Sequence, residues 1–142
     1  SLTGTSMQHR ISRCLLAGIP LSFALCTPSW AADWVELQSE PEATLYTQPS
    51  TIKKEGDHAT LWVLINYKQP LLDKTGKRVL SDTLHYQYHC KDKMESIIAT
   101  TAYTGPMASG DIVNENPDAP QVTPIAPGTL AEVMFKQACT GH

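Results

Sequence analysis

The sequence lacks an apolar run long enough to cross a membrane as a helix. The apolar stretch near its start, residues 15–26, has about 12 residues, whereas a span needs about 20. Basic residues are also few, with 11 Lys and Arg against 14 Asp and Glu. Lys74, Lys77 and Arg78 form their one real cluster, which we interpret as a solvated hairpin tip. Because Lys and Arg at phosphates dominate nucleic-acid affinity, this composition argues against a nucleic-acid-binding protein.

The short apolar stretch is typical of a secretory leader. Arg10 and Arg13 precede it, and the small residues Ser29 and Ala31 follow it, so we expect cleavage after Ala31. Such cleavage removes two basic and no acidic residues, which would change the formal charge from −3 to −5. The sequence therefore predicts three segments: residues 1–6 as an artificial extension or overlong start, 7–31 as a signal peptide, and 32–142 as a single domain.

Cysteine is scarce, and its distribution is informative. Of the four cysteines, Cys14 and Cys26 lie in the predicted leader, which leaves Cys90 and Cys139. Two cysteines in an exported chain most simply form one disulfide. A metal pair and a redox couple are the alternatives. Both are disfavoured, because the chain has no Cys-x-x-Cys and no nearby second pair of ligands.

The sequence also lacks a recognisable catalytic or metal site. Ser81, Ser96 and Ser109 have no nucleophile-elbow context. His85 and His89 share one face of a predicted strand but lie about 13 Å apart along it, too far to bind one metal ion directly. We therefore predict no catalytic residue, no metal and no cofactor, although a minor secreted enzyme remains an alternative.

What is present is strand patterning followed by one helix. Residues 83–90 alternate, with Leu84, Tyr86, Tyr88 and Cys90 on one face. Residues 58–67 are apolar on both faces, which predicts a central strand that is covered twice. We expect further strands at 32–37, 43–47, 94–103 and 111–113, with breaks at residues 48–50 and 69–70.

The helix follows a proline-rich connection at residues 114–127. Thr129 and Glu132 form a capping box, so a helix is expected from there to about Cys139. Its predicted inner face combines four residues at roughly helical spacing: Leu130, Val133, Met134 and Ala138. Strands followed by a helix indicate an α+β fold with an antiparallel sheet.

Two groups of residues are candidates for an interaction surface. Tyrosine is common in binding hot spots, although a place in the core is the favoured interpretation for most of the aromatic residues. The proline-rich connection is restricted in conformation, although a plain connector is its favoured interpretation. The candidate residues are Tyr86, Tyr88, Pro117, Pro120 and Pro124.

The order of these features resembles the surface-adhesin protein E family of Gram-negative bacteria. The resemblance covers residues 33–139 and rests on framework positions. These are Trp34 and Leu37 at the mature start, the Trp62 core strand, a strand from Ser81 into Cys90, and Pro127-Gly128-Thr129 opening a helix that ends at Cys139.

The resemblance implies a small antiparallel sheet with the C-terminal helix packed on it and Cys90 joined to Cys139. It also implies an exported protein of the periplasm or outer cell surface of a Gram-negative bacterium. Its function would be non-enzymatic binding of other proteins, such as host extracellular-matrix or serum proteins. A periplasmic accessory or small-ligand-binding protein is the alternative.

Overall fold

An antiparallel sheet with an α-helix on one face makes up the part of the chain that the computed structural model describes, residues 33–116 and 121–141. The predicted signal peptide and residues 1–6 lie outside these residues. No helix within them has the length and apolar character of a membrane span. The elements are β1 (Val35–Ser39), β2 (Ala43–Glu55), β3 (His58–Leu72), β4 (Arg78–His89), β5 (Met94–Tyr103), β6 (Ile112–Asn116), β7 (Thr123–Pro124) and α1 (Leu130–Thr140).

The sheet is a meander in which consecutive strands pair antiparallel from β1 to β6. β6 pairs with the end of β5, and the short β7 pairs with its beginning. The predicted α+β class and antiparallel sheet are therefore confirmed. Short connections between sequence neighbours explain why local patterning was sufficient to predict this arrangement.

Two predicted strand ends are wrong. β2 continues through Pro49 to Glu55, and β3 continues through Pro70 to Leu72. In both places the register shifts, between Gln48 and Lys53 and between Asn66 and Leu71. A bulge accommodates a residue without an N–H group, so each proline bends the strand instead of ending it.

The core lies between α1 and one face of the sheet, which we call the helix face. In β3 and β4, Leu61 pairs with Tyr86 and Ala59 pairs with Tyr88, so these four residues share that face. The buried residues of the cluster are Ala59, Leu61, Val63, Tyr88, Ile125, Met134, Phe135 and Ala138. The alternation of β4 predicts this face correctly.

The helix begins where the capping box predicts. Thr129 is the N-cap, and its side chain accepts a hydrogen bond from the Glu132 backbone N–H. The helix ends at Gly141, which adopts the left-handed conformation common after helix C-termini. One part of the predicted inner face is wrong, because Val133 is exposed and Phe135 is buried. The helix is rotated so that Phe135 contacts the Tyr88 ring.

A disulfide between Cys90 and Cys139 links the end of β4 to the last turn of α1. Both cysteines pack against the buried cluster. The bond therefore closes the helix onto the sheet at one end of the core, as the sequence predicts.

The opposite face of the sheet, which we call the open face, is covered at one end by the loop of residues 104–111. The buried Ser81 side chain donates a hydrogen bond to the Gly105 carbonyl and accepts one from the Ala108 N–H. The Asn66 side-chain oxygen accepts a third from the Met107 N–H. This loop supplies the second cover that the apolar central strand predicts.

Candidate functional site

The hairpin that joins β3 and β4 projects beyond the rest of the sheet. β2 pairs with β3 as far as Tyr67, and β5 pairs with β4 only from Ser81. Beyond that point Leu71 pairs with Val79, and Leu72 pairs with Arg78. We call residues 69–80 the ribbon. Within the described residues no further strand pairs with the ribbon, and Leu71, Leu72 and residues 74–78 are exposed, whereas Val79 is buried.

The ribbon combines apolar and basic side chains at the surface. Leu71 is 49% exposed and Leu72 is 70% exposed, and as strand neighbours they face opposite sides. Lys74, Lys77 and Arg78 are exposed beside them. Exposed apolar area rimmed by polar residues marks interaction sites, and arginine is enriched at protein interfaces.

The tip of the ribbon is held in one conformation. One side-chain oxygen of Asp73 accepts hydrogen bonds from the Thr75 N–H and hydroxyl and from the Lys77 N–H. These bonds, with the Thr75 hydroxyl as the main contributor, hold the pKa of Asp73 below its ordinary value. Gly76 has φ 82°, a conformation that glycine adopts in turns at no steric cost. A tip ordered before binding loses less conformational entropy when a partner binds.

The loop of residues 104–111 is also held rigidly, at the same end of the sheet. Met107 and Ala108 have φ 53° and 59°, a conformation that is uncommon for residues other than glycine. A side chain at Gly105 would meet the Ser109 carbonyl oxygen at 2.8 Å. The loop presents Met107 exposed, so this end of the sheet carries a third exposed apolar side chain, beside Leu71 and Leu72.

The open face carries two aromatic pairs across β3 and β4. Trp62 and His85 stack with ring centroids 4.2 Å apart and an interplanar angle of 4°. Burial, and secondarily the charge of Lys53, lowers the pKa of His85. His58 and His89 lie edge to face, with Nε2 of His58 3.0 Å from Nδ1 of His89. The sequence places His85 and His89 on one face but too far apart to meet, and the pairing register brings His58 to His89.

Of the residues predicted for an interaction surface, the structure describes Tyr86, Tyr88 and Pro124. Tyr88 is 0% exposed and lies beneath α1, in the core position that the sequence favours for most of the aromatic residues. Tyr86 stacks on Tyr88 and packs against the same core. Pro117 and Pro120 lie outside the described residues. Pro124 is exposed in β7, and its part in binding stays a prediction.

A half-buried carboxylate accompanies Tyr88 on the helix face. Glu95 is the cross-strand partner of Tyr88. The Tyr88 hydroxyl and one Glu95 carboxylate oxygen are buried and make no hydrogen bond within the described residues. Burial raises the pKa of Glu95 above its ordinary value. An unpaired carboxylate in this position destabilises the folded state once it is ionised.

We expect Glu95→Gln to stabilise the protein at neutral pH. A raised folded-state pKa contributes stability at acidic pH that is lost as pH rises through that pKa. Glutamine has the shape of the protonated glutamate and stays uncharged at all pH values. The gain in free energy of unfolding of the variant over the parent protein therefore grows above the unfolded glutamate pKa of about 4.3. Urea unfolding at pH 4 and pH 7 measures this difference. An equal effect at both pH values would contradict the assignment.

Metal ligands are sparse on this part of the chain. Within residues 33–116 and 121–141, no group of three or more His, Cys, Asp or Glu side chains is placed to hold a metal ion. Cys90 and Cys139 are joined to each other and therefore cannot act as thiolate ligands or nucleophiles. The geometry that is best developed for function is the ribbon, a surface suited to binding another molecule.

Comparison with known proteins agrees with this description. The family model for surface-adhesin protein E matches residues 34–140. The selenomethionine form of Haemophilus influenzae protein E has a TM-score of 0.58 at 11% identity, covering 75% of this chain and 95% of that chain. Crystal form II of Haemophilus influenzae protein E has a TM-score of 0.58 at 11% identity, and the match covers 75% of this chain and 96% of that chain. Protein E from non-typeable Haemophilus influenzae has a TM-score of 0.57 at 11% identity, and the match covers 76% of this chain and 84% of that chain.

At this level of identity the solved structures show only a shared fold, whereas the match to the family model shows membership of the family. A comparison with curated proteins found no match. The family model spans most of the sequence, including every described strand and the helix. As the order of framework residues predicts, the chain belongs to the surface-adhesin protein E family.

Proposed function

We propose that this domain is a non-enzymatic adhesive protein that is displayed on the cell surface and binds extracellular proteins of a host, from the matrix or serum. Membership of a family of surface adhesins supports export and binding. The ribbon is the observation that carries the proposal, because it projects two exposed leucines and three basic side chains from a preordered turn. Acidic surface segments of matrix and serum proteins are its expected contacts.

The charge of the ribbon supports this choice of partner. The chain as a whole carries a formal charge of −3, yet Lys74, Lys77 and Arg78 give the tip a local positive charge. A basic patch on an acidic protein orients the molecule towards an acidic partner and raises the association rate. The adjacent leucines then supply area that is removed from water on contact.

We expect the variant Leu72→Ser, Lys77→Glu, Arg78→Glu to lose most of its binding. Immobilised matrix and serum proteins are presented to the purified domain, and dissociation constants are measured by surface plasmon resonance. A binding hot spot of this kind is worth about 2 kcal/mol or more, so binding should weaken at least about tenfold.

The matched control is Lys53→Glu, Lys54→Glu. It reverses two exposed charges at the end of β2 and so makes the same change in net charge away from the ribbon. Its affinity should stay within about twofold, since rim and remote charges contribute little. Equal loss in both variants would indicate non-specific attraction, and no binding to any protein of the panel would contradict adhesion.

Surface display is tested on intact cells. Protease added outside should cleave the displayed domain while a periplasmic marker stays whole. Protection of the domain under those conditions would favour the alternative of a periplasmic accessory protein.

A further inference from the structure

We propose that His58 and His89 form a copper(II) site on the open face of the sheet. The proposed adhesion assigns neither a metal nor a role to this pair, and the inference does not depend on it. It rests on the chemistry of the two side chains and on how firmly the structure places them side by side.

The two imidazoles already have the separation that a shared metal ion requires. Nε2 of His58 lies 3.0 Å from Nδ1 of His89 in an exposed contact. Metal–imidazole bonds measure about 2.0–2.1 Å. Two such bonds at 90° place their nitrogens about 2.9 Å apart, and at the tetrahedral angle about 3.3 Å. A metal ion can therefore replace the shared hydrogen bond once the rings turn by about 35–45°, so that both lone pairs point at the metal and not along the line between the two nitrogens.

The backbone around the pair is fixed from several directions. His58 and His89 are direct partners in the register of β3 and β4. The next residue, Cys90, donates its N–H to the carbonyl of Asp57 at 2.7 Å and is held by the disulfide to Cys139. A ligand pair on two strands tied at both neighbouring positions is preorganised, which favours metal binding over two free histidines.

The surrounding row of side chains favours copper. Glu55 is the partner of His58, and Met94 is the partner of His89. Direct partners share a face, so a carboxylate and a thioether flank the two imidazoles. Imidazole nitrogens bind copper(II) more tightly than other divalent first-row ions, and square-planar nitrogen sites are typical of it. With two protein ligands, water would complete the coordination.

The test is a titration of the untagged protein with copper sulfate, in the presence of glycine as a weak competing chelator. We expect one copper per chain by calorimetry, and an electron paramagnetic resonance spectrum with nitrogen hyperfine structure from imidazole. His58→Ala and His89→Ala should each weaken binding at least about tenfold, because each leaves a single imidazole. Both side chains lie at the surface, so circular dichroism should show the fold unchanged.

His85→Ala is the matched control, since His85 lies on the same strand and face as His89 but stacks on Trp62. Its copper affinity should stay within about twofold of the parent value. Copper binding that survives the double variant His58→Ala, His89→Ala would overturn the proposal. An equal loss in His85→Ala, or a tighter complex with zinc sulfate than with copper sulfate, would also overturn it.

Discussion

Cys139→Ser should lower the free energy of unfolding by about 4 kcal/mol. The disulfide joins residues 49 positions apart, and in the chain-entropy model a loop of that length restricts the unfolded chain by about this amount. Domains of this size are stable by about 5–15 kcal/mol, so the loss is a large share of the total. The melting temperature should fall by roughly 15 °C.

The position of the bond predicts where the loss appears first. Cys139 holds the last turn of α1, so amide hydrogen exchange should increase most along Leu130–Thr140 and least in the central strands. The double variant Cys90→Ser, Cys139→Ser is the control for the thiol left unpaired. It should be as unstable as the single variant, since either change opens the same loop. Unchanged exchange in α1 would contradict the fastening role.

Leu61→Ala should destabilise the protein by about 2–5 kcal/mol. Leu61 is 0% exposed in the middle of β3, opposite Tyr86 and beneath α1. Removing a buried leucine side chain loses its transfer free energy and leaves a cavity that the surroundings fill only in part. Urea denaturation monitored by tryptophan fluorescence measures the change in free energy.

Leu72→Ala is the matched control on the same strand. Leu72 is 70% exposed in the ribbon, so the same truncation should change stability by less than about 0.5 kcal/mol. If Leu72→Ala also weakens binding to an extracellular protein, the result indicates that Leu72 contacts the partner. Comparable destabilisation by the two substitutions would contradict the assignment of core and ribbon.

Local patterning predicted the elements of this fold well because the local signals are strong. Alternation in residues 83–90 follows the two-residue period of a strand, and it placed Tyr86 and Tyr88 on a common face. Thr129 and Glu132 predicted the helix start because a capping box satisfies backbone groups only there. The two cysteines of the exported part predicted their bond by elimination of other partners.

Proline gave the wrong strand ends for a physical reason. Pro49 and Pro70 remove a backbone donor, which in an isolated segment favours a turn. In the folded sheet the register shifts next to each proline, and the strand continues past it. Whether a proline ends a strand or bends it depends on the neighbouring strand, and the sequence of the segment alone does not contain that information.

The candidate sites depended on tertiary structure more than the fold did. The ribbon exists because β3 and β4 extend beyond their neighbours, and strand lengths relative to one another are set by pairing. The alternation favours a core position for most of the aromatic residues but leaves Tyr88 as a surface candidate, because only the position of α1 decides which face is covered.

By itself, the sequence determined the antiparallel sheet, the helix and its cap, the disulfide and the family of this protein. Each of these rests on neighbouring residues or on a count of residue types. Tertiary structure alone decided that His58 meets His89, that Tyr88 is buried and that Leu71 and Leu72 project. Those outcomes depend on register and packing between segments far apart in the chain, where one residue of slip reverses every side chain.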